Sequence, residues 1–164
     1  DNIEDVRKIL LFLSKNTKYN ITYRPHPLEN RTLEKLDEIN NIQKSSNKEN
    51  SFDFLANQDI LISGNSSILL EATLLNIVPM YFPLNKKVDD YYGFVKNNLA
   101  DNLTNLNDII MNLNRYKNKV DVRKRACYYN ATINTIHDGK SEQQALSLIQ
   151  TLIEKNQTVD DIVQ

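Results

Sequence analysis

The part of the sequence that decides the fold is residues 59–82, which read DILISGNSSILLEATLLNIVPMYF. Residues 59–63 form a short apolar run, which is typical of a strand buried in a parallel sheet. After a Gly-Asn turn, residues 66–76 are long and apolar enough to predict a helix, and residues 78–82 predict a second buried strand. The stretch therefore predicts a βαβ unit, whose crossover should be right-handed.

The segments before this unit continue the alternation of helices and strands. Helices are predicted at residues 4–15, 31–39 and 52–57. Residues 19–24 alternate and are rich in β-formers, so they predict a strand, which ends at the Pro-His-Pro of residues 25–27. Residues 42–51 are polar, and they predict either a loop or a weak edge strand.

The C-terminal part of the chain predicts helices only, at residues 105–115, 120–136 and 141–155. Ser141 and Gln144 have the spacing of a capping box at the start of the last helix. Its apolar stripe consists of Ala145, Leu148, Ile149 and Leu152. The predicted fold class is therefore α/β, a Rossmann-like parallel sheet flanked by helices with a helical C-terminal part. No repeat or linker divides residues 1–164, so we expect one domain.

Composition excludes several classes of protein. The chain has 164 residues and a formal net charge of −1, which argues against a nucleic-acid binder that neutralises phosphates. The sequence contains no run of 18 apolar residues, so no membrane span is predicted. The single cysteine, Cys127, cannot form an internal disulfide and indicates a reducing compartment.

The turn of residues 63–67, Ser-Gly-Asn-Ser-Ser, joins the carboxyl end of a predicted strand to a helix. Ligands of α/β sheets bind at that edge, and a helix N-terminus offers amide donors to a phosphate. Ser66 and Ser67 add two hydroxyl donors, and Gly64 would let the backbone approach a ligand closely. The alternative is an ordinary serine cap on the helix.

Glu71 is the only charged residue between Asp59 and Lys86. A carboxylate on so apolar a helix needs a partner. Because it lies four residues after Ser67, both should occupy one helix face about 5–6 Å apart. That spacing suits a carboxylate that accepts hydrogen bonds from the ribose hydroxyls of a nucleotide whose phosphate sits at the serines. A structural salt bridge or backbone contact is the alternative.

His26 follows a predicted strand and is flanked by Pro25 and Pro27. The two prolines restrict the local backbone and hold the imidazole at the end of the strand. There it could donate a hydrogen bond to a phosphate oxygen, although a lone histidine is more often structural than functional.

Residues 23–27 (Tyr-Arg-Pro-His-Pro) and 62–72 (Ile-Ser-Gly-Asn-Ser-Ser-Ile-Leu-Leu-Glu-Ala) together resemble the donor domain of GT-B glycosyltransferases. The resemblance is to bacterial sialyltransferases, polysialyltransferases and CDP-glycerol glycerophosphotransferases. Their His-Pro and Ser-Ser motifs bind the phosphate of a cytidine nucleotide. By this resemblance His26, Pro27, Gly64, Ser66 and Ser67 would bind the donor phosphate.

The same resemblance assigns Glu71 to the donor ribose. It extends less specifically to residues 90–95 and 139–141, and in all it covers about residues 18–145. It implies an enzyme, a GT-B transferase acting in bacterial capsule or lipopolysaccharide synthesis. The donor would be a CMP- or CDP-linked sugar-nucleotide, and no metal or other cofactor is expected. The catalytic residues stay unassigned.

A complete GT-B enzyme has two Rossmann-like domains, and its N-terminal domain binds the acceptor. The resemblance therefore implies that this chain is the donor-binding half, which starts after the first strand of its domain. A glycan or lipid-linked acceptor would bind to the missing N-terminal domain, and nucleic acid is not an expected partner. The expected location is the cytoplasm.

Two other functions are compatible with the same pattern. The first is an enzyme domain like UDP-N-acetylglucosamine 2-epimerase, although such a phosphate loop is usually richer in glycine than residues 63–67. The second is a non-catalytic nucleotide-binding regulatory module.

Residues 115–125 form the one basic cluster, with Arg115, Lys117, Lys119, Arg123, Lys124 and Arg125 against a single Asp121. Its usual meaning is a solvated helix face. The functional alternative is peripheral contact with an anionic membrane, at its inner face.

Overall fold

The computed structural model describes residues 2–26, 39, 41–46, 48–84, 90–118 and 120–160. The helices are α1 (Asn2–Asn16), α2 (Ser51–Leu55), α3 (Ile68–Leu74), α4 (Leu106–Arg115) and α5 (Ser141–Asp160). The strands are β1 (Ile21–Tyr23), β2 (Ile42–Lys44), β3 (Ile60–Ser63), β4 (Val78–Tyr81) and β5 (Asp101–Asn102). The chain forms two compact units, Asp1–Arg123 and Lys124–Gln164.

The predicted βαβ unit is present, with β3 and β4 paired in parallel from Ile60 opposite Val78 to Ser63 opposite Tyr81. The helix between them was predicted at residues 66–76 and is shorter in the structure, where it begins at Ile68 and ends at Leu74. Asn76 ends the connection with a positive φ of 62°, a conformation that asparagine tolerates better than most residues. The fold class is the predicted α/β, with short parallel sheets flanked by helices.

The strands form two parallel sheets in the described part of the chain. One has the order β1-β2 and the other β3-β4-β5. Of the two structures predicted for residues 42–51, the edge strand is the one found, because β2 pairs in parallel with β1. The helix predicted at residues 31–39 lies outside the described residues except for Ile39, which is buried.

One hydrophobic cluster holds the sheets and helices of the first unit together. Its buried members come from α1, β4, α4 and the loops that follow β5 and α4: Ile9, Leu13, Val78, Met80, Leu103, Ile109, Leu113, Tyr116 and Val122. Ile21 of β1 and Ile60 and Ile62 of β3 pack against the same cluster. The core therefore extends beneath the strands that precede the two candidate motifs.

The prediction of a helix over residues 120–136 is wrong. The structure has a 3-10 helix, Arg123–Tyr128, followed by turns. Asn134 takes a positive φ of 59°, which a right-handed helix does not accommodate. The periodicity of the segment did not reveal this interruption.

The predicted capping box of α5 is also wrong. The Ser141 hydroxyl bonds to Asn130 and Thr132, and the Gln144 side chain bonds to the His137 ring. Both side chains are therefore used to tie the preceding turns together, and the Lys140 carbonyl accepts the first helical hydrogen bond, from the Gln144 amide. The helix itself is present as predicted, although most of its apolar side chains are exposed. No helix in the described part of the chain is both long and apolar enough to cross a membrane.

Candidate functional site

A large cavity of about 1760 Å³ lies along β1 and β3 in the first unit. The two motifs found in the sequence both line it, through His26 after β1 and the turn of residues 63–67 after β3. Glu71 of α3 lines it as well. The structure thus brings the described candidate residues into one cavity, while Pro27 lies outside the described residues.

Ser66 and Ser67 use their backbone, and not their side chains, to start α3. The Ser66 carbonyl accepts from the Leu69 amide, and the Ser67 carbonyl accepts from the amides of Leu70 and Glu71. Ser67 takes the cap position, but its side chain makes no capping hydrogen bond. Its hydroxyl is therefore not used as an ordinary serine cap and can donate to a ligand in the cavity.

Glu71 presents the clearest electrostatic anomaly of the cavity. Its Oε2 is buried and has no hydrogen-bond partner among the described residues. Neither of the two ion pairs found among the described residues includes Glu71. A buried carboxylate oxygen without a donor is costly, because it has lost its hydration without replacement. A ligand hydroxyl that reached this oxygen would remove that cost.

The segment after β1 places two basic side chains at the same cavity. Pro25 is buried and His26 is exposed, so the histidine side chain reaches solvent at the cavity lining. Arg24 is held in place by donating from Nη2 to the Glu49 carbonyl at 2.8 Å, and its guanidinium lies over the Phe54 ring. The Nε of Arg24 is buried without a partner among the described residues. Arg24 and Glu71, which both line the cavity, thus each have one buried side-chain atom without a partner among the described residues.

Gly64 is buried, and its role in the structure is to allow close packing. A Cβ at this position would meet the Leu84 side chain at 3.3 Å and the Phe82 carbonyl at 3.5 Å. A Cβ there would require the Leu84 side chain to shift by a few tenths of an ångström. The predicted close approach of the Gly64 backbone to a ligand stays a prediction.

Asn65 has a role that the sequence did not reveal. Its Nδ2 donates to the Tyr81 hydroxyl at 3.1 Å, and its Oδ1 accepts from the Tyr91 amide at 2.9 Å. This side chain therefore ties the serine turn to β4 and to the loop that begins at residue 90. Asparagine is common in turns because its side chain can bond to backbone groups, but that tendency does not identify a partner 26 residues away.

The loop that Asn65 holds is itself ordered by Asp90. The Asp90 carboxylate accepts hydrogen bonds from the amides of Phe94, Val95 and Lys96, at 2.7 to 2.9 Å. Phe94 is buried and stacks on the Tyr92 ring at 5.2 Å. Residues 90–96 thus form a fixed turn against the serine motif.

These features define a Rossmann-like α/β protein with a cavity that is lined by both polar and apolar side chains and includes the turns after β1 and β3. A family model described as CDP-Glycerol:Poly(glycerophosphate) glycerophosphotransferase matches residues 5–151. The chain therefore belongs to this family, which is a family of transferases. The match confirms the part of the predicted resemblance that concerns the glycerophosphotransferases. No curated protein and no solved structure matches the chain.

Proposed function

We propose that the chain is the donor-binding half of a GT-B type transferase that uses a cytidine-linked donor of the CDP-glycerol kind. The observation that carries the proposal is the buried Oε2 of Glu71, which lacks a partner among the described residues in a cavity that His26 and the serine turn also line. A nucleotide supplies the complementary groups, because its ribose has hydroxyl donors and its phosphates are acceptors. Membership of the glycerophosphotransferase family supports the cytidine donor.

In the proposed reaction an acceptor hydroxyl attacks the phosphorus that bears the glycerol. The bond from this phosphorus to the bridging oxygen breaks, the glycerol phosphate is transferred, and CMP leaves with the bonding electron pair. His26, Ser66 and Ser67 would donate to the phosphate of the departing CMP, where negative charge develops. Glu71 would hold the ribose. Transfer of a sugar from a CMP-linked donor would release the same nucleotide and use the same residues.

The acceptor would be a glycan or a lipid-linked polymer bound by a second domain, and the product a bacterial surface polymer. A glycosyltransferase or glycerophosphotransferase of this kind would act in the cytoplasm at the inner face of the membrane. The catalytic base is not assigned to any residue of this chain.

Calorimetric titration with CMP, CDP, UDP and GDP tests the proposal. We expect the cytidine nucleotides to bind more tightly than the others. The double variant Ser66→Ala, Ser67→Ala should lose about tenfold or more in affinity, because hydrogen bonds to charged groups contribute about 1.5–3 kcal/mol each. Its melting temperature should change little, since Ser67 makes no side-chain cap.

Ser147→Ala is the matched control for these variants, because Ser147 lies on α5 of the second unit and is not among the described residues that line the cavity. It should leave the affinity for CMP unchanged. Preferential binding of UDP would favour an epimerase-like enzyme instead, and equal affinity of the double variant and the unmodified chain would remove the serines from the site.

The basic cluster of residues 115–125 supports membrane contact as a further part of the proposal. Arg115, Lys117 and Lys124 are exposed, while Lys119 lies outside the described residues. Exposed cations of this kind attract anionic lipid at low salt. Sedimentation with phosphatidylserine vesicles should exceed that with phosphatidylcholine vesicles, and equal sedimentation would refute the contact.

A further inference from the structure

Tyr91 is an exposed aromatic side chain on a backbone that is held firmly in place. The residue is 75% exposed, yet its amide donates to Asn65, a residue that lines the candidate nucleotide cavity. The following residues are fixed by the Asp90 carboxylate and by the buried Phe94. The backbone of Tyr91 is therefore held beside the serine turn, while its ring is exposed and is not part of any core.

The Tyr91 ring makes an edge-to-face contact with Tyr92 at 5.0 Å between ring centroids. Tyr92 in turn stacks on Phe94. The arrangement is a row of three rings that leads from a buried anchor to an exposed end. In the described part of the chain the Tyr91 hydroxyl has no hydrogen-bond partner, so both its ring face and its hydroxyl can contact a ligand.

We propose that Tyr91 is a specificity-determining residue that binds the transferred group of the donor, a polyol or sugar phosphate, and not its nucleotide. This inference rests on the proposed function, because it takes the serine turn as the phosphate site. A group attached to the phosphate on the side away from the nucleotide projects beyond Ser66 and Ser67. The Asn65 bridge fixes Tyr91 beside that turn, on the loop from β4.

The chemistry of tyrosine fits such a group. Its ring offers a flat apolar face to the carbon atoms of glycerol or a sugar, and its hydroxyl can donate to or accept from the hydroxyls of that group. Binding sites gain affinity when such side chains are held in position before the ligand arrives. The hydrogen bonds of Asn65 and Asp90 do this for the backbone of Tyr91.

The second unit provides a matched control. Tyr128 is 71% exposed and makes an edge-to-face contact with Tyr129 at 5.0 Å between centroids, much like the pair Tyr91 and Tyr92. Neither Tyr128 nor Tyr91 is among the described residues that line the cavity, but Tyr91 is bonded to Asn65 through its amide, whereas Tyr128 belongs to the second unit. Replacing Tyr128 therefore removes the same chemical group from an exposed pair of rings in the second unit.

The test measures the affinities of the chain for CMP and for CDP-glycerol by calorimetry. We expect Tyr91→Ala to weaken CDP-glycerol binding about three- to tenfold while leaving CMP binding unchanged, in line with the typical strength of an aromatic contact. Tyr91→Phe keeps the ring face and should lose less than Tyr91→Ala. Tyr128→Ala should change neither affinity. Melting curves of all variants should match that of the unmodified chain, because both tyrosines are mostly exposed.

The outcomes separate this inference from the proposed function. If the unmodified chain binds neither ligand, the proposed function fails, and this inference fails with it. If both ligands bind and Tyr91→Ala changes neither affinity, the inference alone is overturned. An equal loss for CMP and CDP-glycerol also overturns it, since the ring would then contact the nucleotide.

Discussion

The helices α3 and α5 carry similar runs of leucine and isoleucine, but the structure buries them to different extents. Leu69 of α3 is completely buried, together with Ala72 and Thr73. In α5 the large apolar side chains are all more than half exposed: Leu146, Leu148, Ile149, Leu152 and Ile153. Helix α3 lies between two parallel strands in the chain, whereas the described residues of the second unit contain no strand. The comparison teaches that periodicity predicts a helix, while the burial of its apolar side chains depends on the neighbouring elements that pack against it.

A matched pair of leucine substitutions gives the largest expected effect and tests this comparison directly. Leu69→Ala should lower the free energy of unfolding by about 2–5 kcal/mol, because it opens a cavity in a closed core. Leu148→Ala makes the same change at a side chain that is 65% exposed and should cost less than about 0.5 kcal/mol. Urea unfolding of both variants measures the difference. Equal costs would show that α5 is as well packed as α3 and would break the comparison.

The start of α4 offers a smaller effect that contrasts with the start of α3. Asn105 and Asp108 form a capping box there, in which the Asn105 side chain accepts from two helix amides. In α3 the Ser67 side chain makes no such bond. Asn105→Ala should therefore cost about 1 kcal/mol, and the serine variants much less. Thermal unfolding measures both, and a large loss in the serine variants would assign the serines a structural role.

The same capping box predicts a dependence of stability on pH. Hydrogen bonds from the Thr104 side chain, its amide and the Asn105 amide hold the pKa of Asp108 below its ordinary value of 3.8. Because the pKa of Asp108 is lower in the folded state, the ionised carboxylate stabilises the protein above pH 3.8. This contribution is lost as the pH falls through the pKa of the folded state. Asp108→Asn should remove this part of the acid dependence. Identical acid unfolding curves for the variant and the unmodified chain would contradict the assignment.

Much of the fold was predictable because its signals are local. The strands at residues 59–63 and 78–82 were correct to within one residue at each end, since buried apolar runs between turn residues are distinctive. Strand β5 was missed because two residues, Asp101 and Asn102, show no periodicity. The capping box of α4 was also missed, while one was wrongly predicted for α5, because spacing does not tell whether a serine has a nearer partner.

The residues of the candidate site were predictable from the sequence, but their long-range contacts were not. Its motif residues stand out in the sequence by charge, by flanking prolines or by their turn, and those that the structure describes line one cavity. The bridge from Asn65 to Tyr81 and Tyr91 spans 16 and 26 residues, so only the folded chain brings these partners together. The sequence likewise indicates that the Glu71 carboxylate needs a partner, but it does not show that Oε2 has none among the described residues.

The central claim is that Glu71 binds the ribose of a nucleotide, and the substitution Glu71→Gln tests it most directly. Glutamine keeps the size of the side chain but loses its charge and half its acceptor capacity. Titration with CMP should show about tenfold weaker binding, as expected for the loss of a charge-assisted hydrogen bond. Binding of inorganic phosphate at Ser66 and Ser67 should be unchanged, and so should the melting temperature. Glu142→Gln, on the exposed start of α5, is the control and should bind CMP normally. Unchanged CMP affinity in Glu71→Gln, or a loss of several kcal/mol of stability, would contradict the claim.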